Sequence, residues 1–333
     1  MNKYDLSNKN LKIEGIYDFE NHKTFCRYPE YVLKAQPRLY EVCKKCAGVR
    51  LRFRTDSKKI GIELHLANQG IDAGMSYFQV NTAFAFVGPY TSSTYVSMAA
   101  GKEAYKDNVI RSEFSNNGMN DITVFFPQLP TVEDIFVYLE DNSSLEPPTP
   151  HKVELPFVFY GSSITQQGHT SAFASYTSLL SRFFDADLYN FGASGNAQGE
   201  PEMAEYLGKI KKSIFFYDYD HNAPSIEHLK NTHEAFFQRF REFDHNTPVI
   251  MTSRPADDTP ETAERAEIVK ATYENALRGG DKNVYFVDGR TLFGNVDPSL
   301  CTTDRTHPNA LGHYMMAKSL EKLINQEQIL VEK

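Results

Sequence analysis

Leu155-Pro156-Phe157-Val158-Phe159-Tyr160-Gly161-Ser162-Ser163-Ile164-Thr165-Gln166-Gln167-Gly168 is the stretch that decides how the chain folds. Four consecutive apolar side chains, Phe157 to Tyr160, give way at Gly161 to small hydroxyl residues. A continuous apolar run closed by a turn signal predicts a strand buried on both faces, as in a parallel sheet. A serine just past the carboxyl end of such a strand stands where open α/β sheets hold their chemistry.

Downstream, strand-like runs alternate with helical ones. Strands are expected at Phe157–Tyr160, Leu188–Phe191, Ile214–Tyr217, Val249–Thr252 and Val284–Val287. Helices are expected at Ser175–Phe184, Pro201–Ile210, Ser225–Phe243, Thr262–Arg278 and Ala310–Asn325. Pro201 suits a first helical turn and Gly279-Gly280 a helix end. Strand–helix alternation predicts an α/β fold: a five-stranded parallel sheet between helix layers, flavodoxin-like, in the order 2-1-3-4-5.

Upstream the pattern changes to period two. Val49, Leu51 and Phe53 alternate with Arg50, Arg52 and Arg54, and Ile60, Ile62, Leu64 and Leu66 alternate with Gly61, Glu63, His65 and Ala67. Ile122, Val124 and Phe126 alternate with Thr123 and Phe125. Such alternation predicts strands with one face inward and one face to solvent. Further β-rich runs at Tyr77–Val80, Ala83–Val87 and Ile135–Leu139 sit between turn clusters and predict an all-β, jelly-roll-like sandwich without long helices. Four prolines between Asp141 and Pro156 read as a stiff linker. The expected division is a β-sandwich domain and linker over 1–150 and a catalytic domain over 151–333. The sandwich has three candidate roles: carbohydrate binding on an aromatic face, a plain core built from Tyr77, Phe78, Phe84, Phe86 and Tyr90, and one wall of a cleft between domains. The absence of Trp speaks for the plain core.

A net charge of −8 argues against nucleic acid and against an anionic membrane surface. No apolar run has the length of a membrane span, and the residues from Met1 to Asn8 lack a signal core, so the expected location is cytoplasmic. Cys26, Cys43, Cys46 and Cys301 make no disulfide framework for 333 residues, and Cys43-x-x-Cys46 stands alone without a second pair at zinc spacing. His233-Glu234 lacks the second histidine of a zinc protease motif, and no glycine-rich nucleotide motif occurs, so neither metal nor cofactor is expected.

Polar clusters follow the strand ends: Gly161-Ser162-Ser163-Ile164-Thr165, Gly192-Ala193-Ser194-Gly195-Asn196, Asp218-Tyr219-Asp220-His221-Asn222 and Asp304-Arg305-Thr306-His307-Pro308. In a parallel sheet they converge on one rim. Their order resembles the blocks of SGNH hydrolases, the GDSL esterase/lipase superfamily, over roughly residues 155–325. Ser163 matches the nucleophile, Gly195 and Asn222 the second- and third-block residues, and Asp304-x-x-His307 the remaining pair. Gly74-Met75-Ser76-Tyr77-Phe78 resembles a degraded Gly-x-Asp-Leu-Tyr motif of the two-domain subgroup with an N-terminal sandwich, several members of which act on acetylated sugars. Two departures stand out. Ser162 replaces the usual aspartate of the first block, and Asp220-His221 replaces the glycine before Asn222.

The resemblance implies a catalytic triad of Ser163, His307 and Asp304, with the oxyanion held by the backbone amides of Ser163 and Gly195 and the side chain of Asn222. A serine hydroxyl needs such a base, and the base needs an orienting carboxylate. Singly, each residue has a plainer reading. Ser163, Asn222 and Asp304 could each be a helix cap, Gly195 a turn glycine and His307 an exposed polar residue. Gly195, lacking Cβ, is expected to permit close backbone approach. Arg254, after the fourth strand, could bind substrate; the plainer expectation is that it pairs with a carboxylate to hold a loop. The function implied is a serine esterase acting on small acyl esters of carbohydrate, with a small-molecule or oligosaccharide ester as its partner. The alternatives are a lysophospholipase or thioesterase of the same superfamily and a silent carbohydrate-binding protein.

Overall fold

Five parallel strands form the centre of the second half: Val153–Gly161, Ala186–Gly192, Ile214–Asp218, Val249–Thr252 and Val284–Val287. Their order is second, first, third, fourth, fifth, so the expected crossover pattern is present. The computed structural model describes residues 1–102, 106–255 and 258–330; the last three residues of the expected second domain lie outside them. The first strand is buried on both faces because its alternate side chains enter two cores. Phe157 and Phe159 join Leu180, Leu188, Phe216, Met316 and Leu320. Val158 and Tyr160 join Phe215, Tyr217, Phe236, Phe240 and Val269. Helices Tyr176–Phe184 and Ala310–Gln326 cover one face, while Pro201–Lys209, Ile226–Arg241 and Pro260–Arg278 cover the other. Burial of each such aromatic or aliphatic side chain contributes about 1.5–3 kcal/mol.

The helix starts are set by side chains. Ser175, Ser225, Thr259 and Asn309 are N-caps, accepting from the amides of Ser178, His228, Thr262 and Leu311 respectively. The third of these helices therefore begins at Pro260 rather than at Thr262.

Residues of the first half build two antiparallel sheets. One contains Asn2–Tyr4, Val132–Leu139, Lys59–Leu66 and Val109–Ser115; the other contains Lys12–Glu14, Arg50–Thr55, Ala83–Val87, Thr94–Ala99, Asn120–Phe125 and Leu145–Glu146. Leu51, Phe53, Ile122 and Val124 face Ile60, Ile62, Leu64 and Val137 across a shared core.

Several details of this half differ from expectation. The Tyr77–Val80 run is helical, within Tyr77–Asn81, because Ser76 caps it. Short helices Glu30–Ala35 and Tyr40–Cys43 interrupt the β region, and Val32, Leu33, Leu39 and Val42 pack into a core of the parallel sheet. Arg50 and Arg52 do not face solvent, being 0% and 2% exposed. Arg50 pairs with Glu14 (3.0 Å) and Asp187 (2.8 Å), Arg52 with Glu14 (2.9 Å), and both lie against the Tyr90 ring. Asp187 belongs to the second parallel strand, so this polar face is the seam between the two halves. The proline-rich stretch is also tied down, since Leu145 and Glu146 pair with Thr55 and Arg54. Of the five aromatics expected in a plain core, Phe84, Phe86 and Tyr90 are buried against Ala172 and Phe173, whereas Phe78 is exposed.

No helix among the described residues is long and apolar enough to cross a membrane. The four cysteines are thiols; Cys43, Cys46 and Cys301 are buried. His233 is a core residue, stacked on Tyr217 and bonded to Thr272 Oγ1.

Candidate active site

Gly161 ends the first parallel strand beneath a one-turn helix, Ser163–Gln166. A Cβ at Gly161 would lie 2.1 Å from Thr165 Oγ1 and 2.3 Å from Asp218 O. The next strand ends under the same turn at Gly192, where a Cβ would lie 2.3 Å from Gln166 N. These two glycines let the turn sit directly on the strand ends. Ser162, fully buried, is the N-cap, its Oγ accepting from Ile164 N at 3.1 Å. The cap therefore belongs to Ser162, and a hydroxyl there does the work of a capping carboxylate. Ser163 is left free of that duty.

Ser163 Oγ lies 2.9 Å from His307 Nε2. His307 Nδ1 lies 2.8 Å from Asp304 Oδ2. Asp304 Oδ1 accepts from the amides of Thr306 (3.0 Å) and His307 (2.7 Å). Burial opposes ionisation of this carboxyl, but those amides and the imidazole outweigh it and hold the carboxyl well below the usual range. The turn is closed by Thr303 N donating to His307 O at 2.9 Å, with Arg305 in the left-handed region at φ 68°. Three residues that span 144 positions of the sequence thus form one hydrogen-bonded chain.

Gly195 lies on the loop after the second strand, with φ +68° and no atom within 4 Å of an added Cβ. The left-handed backbone conformation alone gives a reason for glycine here. The amides of Gly195 and Ser163 have no protein acceptor among the described residues. Asn222 ends the turn Asp220–Asn222, and its Nδ2 donates one hydrogen to Ala193 O at 2.7 Å, which leaves its second hydrogen for a ligand. The Gly195 loop is held from behind by Gln166 Oε1, which accepts from Ser194 N (2.8 Å), and by Asn190 Oδ1, which accepts from Gly192 N (2.8 Å). Arg27, 2% exposed, donates to the carbonyls of Asn190, Gly192 (3.1 Å) and Val42 (2.9 Å). Asp220 Oδ2 accepts from the backbone amide of Arg254 at 3.0 Å, and Arg265 donates to the carbonyls of Asp220 and Ala223. Arg265 thus ties the backbone of this turn.

Beneath the serine turn, Asp218 Oδ2 accepts from Thr165 Oγ1 and Tyr176 Oη, both at 2.9 Å. Burial and the nearby Asp220 carboxylate push the Asp218 carboxyl up to about 8. The unfolded chain titrates near 3.8, so the folded protein holds this proton more tightly. Stability from protonated Asp218 is full below about pH 4 and is lost as pH rises through about 8. The melting temperature of wild type is expected to fall more between pH 5 and 8.5 than that of Asp218→Asn, by about 5 °C or more. Parallel melting curves for the two proteins would remove Asp218 as the cause.

The serine opens into a cavity of about 130 Å³ whose walls include Lys45, Asp72, Gln128, Gln167, His169 and Ser194. Lys45, Asp72 and Gln128 come from the first half of the chain, so one wall is built by the segment expected to be an accessory domain. Met75, within the Gly74–Phe78 motif, also lines it, and Gly74 packs against His169. Sequence reasoning passed over His169, which stacks on His307 with ring centres 4.4 Å apart and lies 3.4 Å from Asp72. No spacing signal connects positions 72, 169 and 307; only the fold does. His169, Asp304 and His307 bring metal-ligand atoms within 4.8 Å of one another. Both nitrogens of His307 are already engaged, so an ion there would have to displace Ser163 or Asp304.

No curated protein matches the chain. Among solved structures, the chain is similar to a protein of Bacteroides ovatus ATCC 8483 assigned to the GDSL-like lipases, at 21% identity and TM-score 0.85, covering 99% of this chain and 98% of that one. It is similar to the salicylyl-acyltransferase SsfX3 of a tetracycline biosynthetic pathway, at 20% identity and TM-score 0.80, with coverage of 99% and 98%. It also resembles a family two carbohydrate esterase from Clostridium thermocellum, at 13% identity and TM-score 0.66, with coverage of 96% and 100%. These likenesses concern the fold, including the β region before the parallel sheet. The model of the GDSL-like lipase/acylhydrolase family matches residues 154–325, the span that carries Ser163, Gly195, Asn222, Asp304 and His307. The chain belongs to the GDSL-like lipase/acylhydrolase family and is a carboxylic ester hydrolase of the SGNH superfamily.

Proposed function

We propose that the protein is a serine esterase that removes small acyl groups, acetyl foremost, from carbohydrate through an acyl-enzyme intermediate. The observation that carries this reading is the hydrogen-bonded chain Ser163–His307–Asp304 at the mouth of a small polar cavity. Ser163 Oγ attacks the ester carbonyl while its proton passes to His307 Nε2. Asp304 keeps the other ring nitrogen protonated and stabilises the imidazolium that forms. The oxyanion is received by the amides of Ser163 and Gly195 and the second hydrogen of Asn222 Nδ2. When the carbon–oxygen bond to the alcohol breaks, His307 returns the proton to the departing oxygen. Water then repeats the sequence on the acyl-enzyme and releases the acid.

Size and polarity of the cavity favour a small acyl group on a polar alcohol. About 130 Å³ does not hold a long acyl chain, and among the described residues only Met75 and Leu129 offer apolar side chains in its lining. The likeness to a carbohydrate esterase supports the same substrate class by analogy. The test is a series of 4-nitrophenyl esters of increasing chain length, followed by acetate release from acetylated oligosaccharides. Acetate is expected to exceed octanoate by about tenfold or more in kcat/KM, the scale at which a few methylenes are discriminated. Faster turnover of octanoate would replace this reading with the long-chain one.

A further inference from the structure

Lys45, whose side chain ends in an ammonium group, lines the cavity that Ser163 opens into. That group has no hydrogen-bond or ion-pair partner among the described residues. Other ionic groups near it do not serve as one. Arg27, whose side chain donates to the Lys45 carbonyl at 2.7 Å, adds a second positive charge. Asp72 and Glu41 attract Lys45 from beyond ion-pair distance. Asp72 is otherwise engaged, its Oδ1 accepting from Gly74 N at 2.8 Å and lying 3.4 Å from His169 Nε2. Burial and the Arg27 charge both lower the proton affinity of Lys45. A half-buried cation without a counter-charge is costly to keep.

The same cavity has further unmet polar atoms. Gln128 is 4% exposed and Gln167 0%. Gln128 Oε1, Gln167 Oε1 and Gln167 Nε2 all lack a hydrogen-bond partner among the described residues. Gln128 Nε2, by contrast, donates to Gly168 O at 3.2 Å and fixes that side chain against the serine loop. Polar atoms buried to this degree are nearly always paired, with protein, water or ligand. One cation, one free amide donor and two free acceptors around a small cavity suit a charged, hydroxyl-bearing group.

We infer that the ester taken by this cleft carries a carboxylate seated on Lys45, borne by either its acyl or its alcohol part. This inference rests on the esterase reading above for the reaction and on Lys45 for the specificity. It makes Lys45, from the N-terminal half of the chain, a specificity-determining residue.

Two substrate pairs separate the two positions of the carboxylate. Acetylated glucuronate against acetylated glucose tests the alcohol part; 4-nitrophenyl monosuccinate against 4-nitrophenyl acetate tests the acyl part. In one pair, wild type is expected to prefer the acid in kcat/KM. Lys45→Met is expected to lower that acid-to-neutral ratio by about ten- to a hundredfold, the range for loss of a charge-assisted hydrogen bond. Lys45→Arg, which keeps the charge, is expected to retain most of it, and thermal melts establish that both variants are folded. An acid-to-neutral ratio equal in wild type and Lys45→Met, in both pairs, overturns the inference while leaving the esterase intact. If no ester shows Ser163-dependent turnover, the esterase reading fails, and calorimetric titration of wild type and Lys45→Met with glucuronate and succinate decides the carboxylate site alone. Binding of one acid that weakens in Lys45→Met upholds that site. No binding, or equal binding to both proteins, rejects it.

Discussion

Ser163→Ala is expected to lower kcat for 4-nitrophenyl acetate by about 10⁴- to 10⁶-fold while leaving the fold unchanged. The size follows from what the hydroxyl does and from what cannot replace it. Ser163 Oγ is the group bonded to His307 Nε2. The neighbouring Ser162 hydroxyl is fully buried and committed to Ile164 N. Ser194 lines the cavity but is not bonded to the imidazole. The stability cost is small because, among the described residues, the only hydrogen bond the Ser163 side chain makes is the one to His307, a net contribution of about 1 kcal/mol. The measurement is steady-state turnover beside a circular-dichroism melt of both proteins. A folded variant that keeps a tenth of wild-type activity would remove Ser163 as nucleophile and return it to the plain role of a first-turn helix residue.

The second large effect is expected at Asn222. Asn222→Ala should cost about 100- to 1,000-fold in kcat with little change in KM, because an oxyanion donor acts on the tetrahedral intermediate rather than on bound ester. Asn222→Asp, which keeps the size, should lose at least as much, since a carboxylate would then face the developing negative charge. The side chain also bonds Ala193 O at 2.7 Å, so the variants remove an anchor of the Gly195 loop as well as a donor. A split with KM raised and kcat preserved would identify Asn222 as a loop anchor alone. A kcat within threefold of wild type in both variants would exclude it as a donor.

The parallel sheet was legible because burial on both faces writes itself into a sequence. Phe157 to Tyr160, Ile214 to Tyr217 and Val249 to Thr252 have no polar side to show, so only a covered strand suits them. The helix starts were legible to within two residues because their caps are local chemistry: Ser175, Ser225 and Asn309 act within three positions of themselves. The run at Tyr77–Val80 was misread for the same local reason. Its β-rich composition was outweighed by the Ser76 cap, which settles a single helical turn.

Amino-acid order alone determined the strand–helix alternation and the polar clusters that close the first three parallel strands. Those features depend on periodicity and on short-range hydrogen bonding, both of which act between near neighbours in the chain. The tertiary structure alone decided three things. It covered Arg50 and Arg52, because alternation says that a strand has a polar face but not what lies against it; here Glu14, Asp187 and Tyr90 do. It gave the N-cap to Ser162 and so freed Ser163 for His307, a choice between adjacent serines that depends on where Asp218 and Gly192 meet the turn. And it placed Lys45, Asp72 and Gln128 in the wall of the serine cavity, since contacts between distant parts of the chain arise from the packing of whole elements and leave no spacing to read.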